Sequence, residues 1–127
     1  MGEHQLRSSY RAPVGKHFRV PVIIYSTGRT GVKGVLEDLS IEGAGIIIRS
    51  SVNPPFNKGE IIDGCYISPP GQKKTFQYQV EVMQYRRKIG GGKLLGVIFT
   101  NMKDKDVQEL SSLIMKCQQL EASSRKR

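Results

Sequence analysis

Two short stretches carry residue types that could do chemistry. "EDLSIEGAG", Glu37 to Gly45, sets Asp38, Ser40 and Gly43 between two apolar runs. A plain strand crossing needs only a turn residue or two, so an acid, a hydroxyl and a run of small residues exceed that requirement. A carboxylate accepts hydrogen bonds, so Asp38 can take an N–H edge such as that of guanine. The Ser40 hydroxyl can donate to a phosphate or brace the loop, and Gly43 lets a base or phosphate approach the backbone closely. A hairpin held by an Asx-turn accounts for the same residues. The second stretch, "RSSYR", sets Arg7 and Arg11 four residues apart. In extended chain such residues share a face, roughly 13 Å from each other. A guanidinium fork binds phosphate bidentately and reads guanine O6 and N7 with the same geometry. Two solvated surface arginines are the plainer alternative.

The chain that must position these groups has 127 residues, 38% of them hydrophobic and 24% charged, with a net charge of +9. That length and composition describe one globular domain with a real core. The apolar runs are too short to span a membrane or to form a signal peptide, so a cytoplasmic location is expected. The N-terminal third is basic, with Arg7, Arg11, Lys16, Arg19, Arg29 and Lys33 against Glu3 and Glu37. An anionic partner is implied, be it nucleic acid, membrane surface or nucleotide. Cys65 and Cys117 have no metal-type spacing and are expected to be buried free thiols.

Residues 1–16 carry no apolar periodicity and are expected to form a flexible arm. From there the pattern is extended. "FRVPVIIY" places Phe18, Val20, Val22 and Ile24 on one face, with Pro21 at an edge or strand start. "VKGVLEDL", "AGIIIRS" and "IIDGCYIS" are further strands, and the isoleucine run suggests burial on both faces. "FQYQVEVMQY" alternates most clearly, Phe76, Tyr78, Val80 and Val82 against Gln77, Gln79, Glu81 and Met83. "LLGVIFT" is the sixth strand, with Leu95, Val97 and Phe99 alternating. Six strands at short spacing predict a mainly β antiparallel barrel or sandwich. The period then changes: Val107, Leu110, Leu113, Ile114, Cys117 and Leu120 fall at helical spacing from about Asp104 to Glu121, with Asp104 or Asn101 as the N-cap. Residues 17–121 thus form the barrel and helix, and residues 122–127, ending in "RKR", a basic disordered tail.

The motifs in order, "RSSYR" and then, 27 positions after Arg11, "DLSIEG", resemble the paired RxxxR and D/NxSxxG signatures of the PilZ domain. The resemblance extends to the "GA" after the second signature, the "GVIF" of the last strand and the helix behind it. It implies a six-stranded antiparallel barrel with a C-terminal helix that binds the bacterial second messenger cyclic di-GMP. Arg7 and Arg11 would then grip guanine and phosphate, Asp38 and Ser40 fix the opposite side, and Gly43 leaves room. Lys16, Arg19 and Arg86 are candidate charge support. In the family an apolar residue just before RxxxR accompanies a single bound molecule and a basic one a stacked pair; Leu6 implies one cyclic di-GMP per chain. No catalytic constellation, metal site or cofactor is expected. With no room for an output domain, the signal is expected to leave through a protein effector. Two other classes stay open: a basic β-barrel that binds nucleic acid, and a PilZ-like partner module without ligand.

Overall fold

The strands arise from period-two burial. A computed structural model describes residues 12–14, 19–25, 31–48, 56–87 and 92–125. Its elements are β1 (Ala12–Pro13), β2 (Pro21–Tyr25), β3 (Val32–Leu39), β4 (Gly43–Ile48), β5 (Ile61–Ile67), β6 (Phe76–Arg87), β7 (Lys93–Thr100) and a helix, α1 (Asp104–Arg125). Val20, Val22 and Ile24 of the first apolar stretch are wholly buried, and Phe76, Tyr78, Val80 and Val82 of β6 also point inward, while Gln77 and Met83 face out. Each such large aliphatic side chain contributes about 1.5–3 kcal/mol when fully removed from water.

All pairings are antiparallel, in the order β1-β3-β2-β5-β6-β7-β4, and β3 also pairs with β4. That last pairing closes six strands into a ring, so β2 to β7 have no free edges. The expected six-stranded antiparallel barrel with a C-terminal helix is the observed fold. Its core holds Leu36, Leu39, Ile46, Ile48, Ile62, Ile67 and Leu95. The isoleucine run is buried on one face only, since Ile47 is half-covered where Ile46 and Ile48 are fully inside.

Three further features differ from the expectation. Residues 12–14 belong to the barrel rather than to an arm: Ala12 and Pro13 pair with Leu39 and Asp38, and the Val14 amide donates to the Glu37 carbonyl at 2.8 Å. Val14 is buried at 6% exposure; a single apolar residue has no period by which to show itself. Residues 1–11 and 15–18 lie outside the described residues. The helix N-cap is Lys103, not Asp104 or Asn101. The Lys103 carbonyl accepts the first helical bond from the Val107 amide at 3.0 Å, and the Asp106 carboxylate accepts from the Lys103 amide at 3.0 Å. Asn101 instead turns the chain with a left-handed φ of 55°, and Asp104 and Asp106 lie in the first turn, where the helix dipole favours negative charge. Finally, α1 continues past Glu121 to Arg125, because Ala122 to Arg125 include neither Gly nor Pro to stop it. The helical stripe buries Leu110, Leu113, Ile114 and Cys117 against the core. Among the described residues no helix is long and apolar enough to cross a membrane.

Both cysteines are free and buried. Burial pushes the Cys65 thiol up to about 12; burial, aided by the nearby Glu121 carboxylate, pushes Cys117 up to about 11. The native chain should therefore give no reaction with a thiol reagent such as Ellman's at pH 8, and both thiols should react once denaturant is added. Because the folded pKa values exceed the ordinary thiol value, this contribution to stability is complete below about 9 and is lost as pH rises through the folded values. Native labelling at pH 8 would contradict the buried placement.

Candidate functional site

Asp38 reaches the surface because β3 breaks its own period. Leu36 and Leu39 are both inside, with Glu37 and Asp38 between them and a register shift against β4 between Leu36 and Asp38. Strict alternation from Leu36 would send Asp38 into the core. A bulge adds one residue, bends the strand and re-aims the side chains beyond it; here it turns the carboxylate outward across β4. There Asp38 Oδ1 accepts from the Gly45 amide at 3.0 Å.

Ser40 holds the turn between β3 and β4. It is 1% exposed. Its Oγ accepts from the Gly43 amide at 3.1 Å and the Glu42 amide at 3.2 Å, and donates to the Gly43 carbonyl at 3.3 Å. The Ser40 amide donates to the same carbonyl at 2.9 Å. One donor and two acceptor sites are all a hydroxyl has, so the loop takes up the whole capacity of Ser40. Of the two roles open from the sequence, bracing is the one its contacts serve.

Gly43 needs to be glycine for a reason in the barrel itself. A Cβ there would stand 2.1 Å from the Val97 carbonyl oxygen of β7, where β4 and β7 pair. The Glu42 carbonyl accepts from the Phe99 amide at 2.8 Å in the same corner. The room expected beside Gly43 is therefore filled by backbone, and the outward-facing row lies one step further along. By register Asp38 (β3) faces Gly45 (β4), Gly45 faces Gly96 (β7), and Gly96 faces Gln84 (β6). Ala44, Ile46, Leu95 and Val97 point into the core, so this row lies on the outer face. A methyl group at Gly45 would meet Asp38 Oδ1 at 3.1 Å, and one at Gly96 would meet Gln84 Cγ at 2.9 Å and Nε2 at 3.1 Å. Two glycines, Gly45 buried beneath the Asp38 carboxylate and Gly96 half-covered by the Gln84 side chain, form a shallow floor with hydrogen-bonding groups at both ends.

Gly45, Gly96 and Gln84 were not singled out from the sequence. A glycine inside a strand marks a close backbone approach, so "GAG" and "LLGV" held a usable signal for the first two. Gln84 had none, since a second register shift, between Val82 and Gln84, sets its direction. Arg19 is exposed just before β2. Leu6, Arg7, Arg11 and Lys16 lie outside the described residues, as does the side chain of Arg86. Among the described residues no cluster of His, Cys, Asp or Glu is arranged to hold a metal ion.

The family profile described as PilZ domain matches residues 5–116. The chain belongs to the PilZ domain family. Solved structures agree on the fold. The PilZ domain with c-di-GMP of YcgR from Escherichia coli superposes with a TM-score of 0.81 at 16% identity, covering 94% of this chain and 96% of that one. The MrkH–c-di-GMP complex of K. pneumonia gives 0.76 at 11% identity, over 94% and 54%. The Bacillus subtilis inhibitor of motility, MotI/DgrA, gives 0.67 at 15% identity, over 91% and 52%. This PilZ chain thus spans about half the length of the latter two. No curated protein sequence matches it.

Two substitutions separate bracing from recognition. Gly43→Ala should destabilise the PilZ barrel by about 1–3 kcal/mol through overpacking against Val97. Ser40→Ala should cost about 1–3 kcal/mol for each buried amide left unpaired. Thermal melts without any ligand check both; an unchanged midpoint in either variant would contradict the geometry described for the turn.

Proposed function

We propose that this PilZ domain is a cytoplasmic receptor for cyclic di-GMP that acts through a protein effector and performs no catalysis. The observation that carries this is the pairing of β1 with the end of β3. Ala12, the residue joined directly to Arg11, faces Leu39, and Pro13 faces Asp38. The chain therefore leads from RxxxR straight onto the strand that presents Asp38 and the Ser40 turn. In this reading Arg7 and Arg11 contribute forks to guanine and phosphate, Asp38 accepts from a guanine N–H edge, and Ser40 holds the turn. The ligand lies over the Gly45–Gly96 floor within reach of Gln84. Complexes of YcgR and MrkH with c-di-GMP on the same fold support it.

Ordering a segment costs about 1–2 kcal/mol per residue in backbone entropy, and charge-assisted hydrogen bonds of about 1.5–3 kcal/mol each offset it. Ligand binding is thereby coupled to the placement of residues 5–11, which is how the effector is informed. A nucleic-acid reading is disfavoured because Phe76 and Tyr78, the aromatic pair of β6, are inside the barrel and offer no stacking platform.

Calorimetric titration with cyclic di-GMP, and with GTP, GMP and cyclic GMP as controls, tests the proposal. Binding should be selective for cyclic di-GMP. Arg7→Ala and Arg11→Ala should each lose about 1.5–3 kcal/mol of it while leaving the melting temperature unchanged. Absent binding, or full affinity in Arg11→Ala, would refute the site. The same titration gives stoichiometry. Two stacked molecules crowd four phosphate charges within a Debye length of about 8 Å, and Leu6 adds no cation to offset them, so one molecule per chain is expected. A value near two would overturn the inference from Leu6.

Hydrogen exchange checks the coupling. Amides of residues 5–11 should gain protection when cyclic di-GMP is added, and those of β2 to β7 should change little. Identical exchange in both states would mean binding without ordering.

A further inference from the structure

The wall of the barrel that carries β5 stands three strands from β4 in either direction around the ring. Its outer face is built differently from the β3–β4 seam. Ile23 and Tyr25 of β2, Tyr66 of β5, and Ser68 and Thr75 of the β5–β6 connection line an open groove of about 530 Å³. Tyr25 is 48% exposed, and its ring meets that of Tyr66 edge-on, centroids 5.7 Å apart at 86°. Two glycines make room for these rings. A methyl group at Gly31 would stand 2.7 Å from Tyr25 Cε1 and 2.9 Å from Ile23 Cγ2, and one at Gly64 would stand 3.2 Å from Tyr66 Cε1. The groove is thus seated in the sheet and is not a chance cluster of surface side chains.

Its border is basic. Lys33 is exposed and is the register neighbour of Ile23 on β3. Lys73 is exposed two residues before Thr75. The acid nearest in sequence to Tyr66, Asp63, already accepts from Gln79 Nε2 at 2.6 Å. Ser68 and Thr75 place two hydroxyls 3.3 Å apart on the rim, suited to the backbone of an extended peptide. A perpendicular tyrosine pair gives no parallel platform for nucleobases. A second copy of the chain would bring the same basic border against itself across a two-fold axis, which like-charge repulsion opposes.

We propose that this groove binds an acidic peptide segment of a protein partner, with an aromatic or branched aliphatic side chain seated between Ile23, Tyr25 and Tyr66 and flanking carboxylates on Lys33 and Lys73. The site is independent of the cyclic di-GMP site.

The test is a random nonapeptide display library panned against the purified full chain without nucleotide. Enriched sequences should combine Asp or Glu with one aromatic or branched aliphatic residue. The best of them, synthesised and titrated, should lose at least tenfold in affinity against Tyr66→Ala and against Lys33→Glu. Melts establish that each variant is folded; should Tyr66→Ala fail that check, Tyr25→Ala, at a half-exposed position, takes its place. Cyclic di-GMP affinity measured on the same variants should be unchanged, so failure of the nucleotide reading would be seen separately. Enrichment without acidic bias, no enrichment, or undiminished binding by the folded variants would overturn the proposal. So would a concentration-dependent dimer in sedimentation that Tyr25→Ala abolishes, since the groove would then be a self-interface.

Discussion

The pairing of β3 with β4 is the constraint on which the rest depends. With the five other pairings among β2 to β7 it makes a closed ring, and it must be made while Leu36 and Leu39 both enter the core. Two inward residues three apart cannot lie on one face of a regular strand. The bulge between Leu36 and Asp38 reconciles them, and the residue displaced outward by it is the acid. The direction of Asp38 is therefore a by-product of closing the barrel, fixed by the same apolar burial that makes the fold stable.

The turn behind it obeys the same logic. A connection from β3 to β4 that also touches β7 leaves Gly43 no space for a side chain, and its amides must find partners inside the corner. Ser40 supplies them from within the loop. The D/NxSxxG signature therefore mixes two physical demands. The acid lies over Gly45 on the outer face, while the serine and the glycine hold the corner that keeps the acid in place. Treating all three as ligand contacts would credit recognition with energy that belongs to the fold.

Much of this was readable in the sequence because burial imposes a period. The alternation of "FQYQVEVMQY" and the spacing from Val107 to Leu120 each reflect many side chains obeying one rule, and the structure agrees with both. What escaped was whatever a single residue decides. Val14 enters the core alone, Lys103 caps α1 through its carbonyl and a side chain three residues on, and the two bulges move Asp38 and Gln84 without leaving a mark in composition. Glycine was half legible: Gly43 could be flagged but not given its reason, because the Val97 carbonyl that excludes a side chain lies 54 positions further along the chain. Register across non-adjacent stretches, which builds the Asp38–Gly45–Gly96–Gln84 row, has no local signature at all.

The closed ring also limits how a ligand at the seam could inform a partner elsewhere. β3 runs from Lys33 at the edge of the tyrosine groove to Asp38 at the seam, about 17 Å at 3.4 Å per residue, which invites a picture of the strand sliding between two states. A slip of one residue would turn every core side chain of β3 outward and break its ladders with β1, β2 and β4 together. Small elastic shifts are equally poor carriers, since a packed interior is bistable or rigid rather than continuously deformable. In the proposed receptor the surface covering, not the packed interior, is what would change. On the receptor reading proposed above, messenger at the seam would draw the preceding segment onto β3 while the far wall kept its shape, and an effector touching both the covered seam and the constant groove would distinguish the two states.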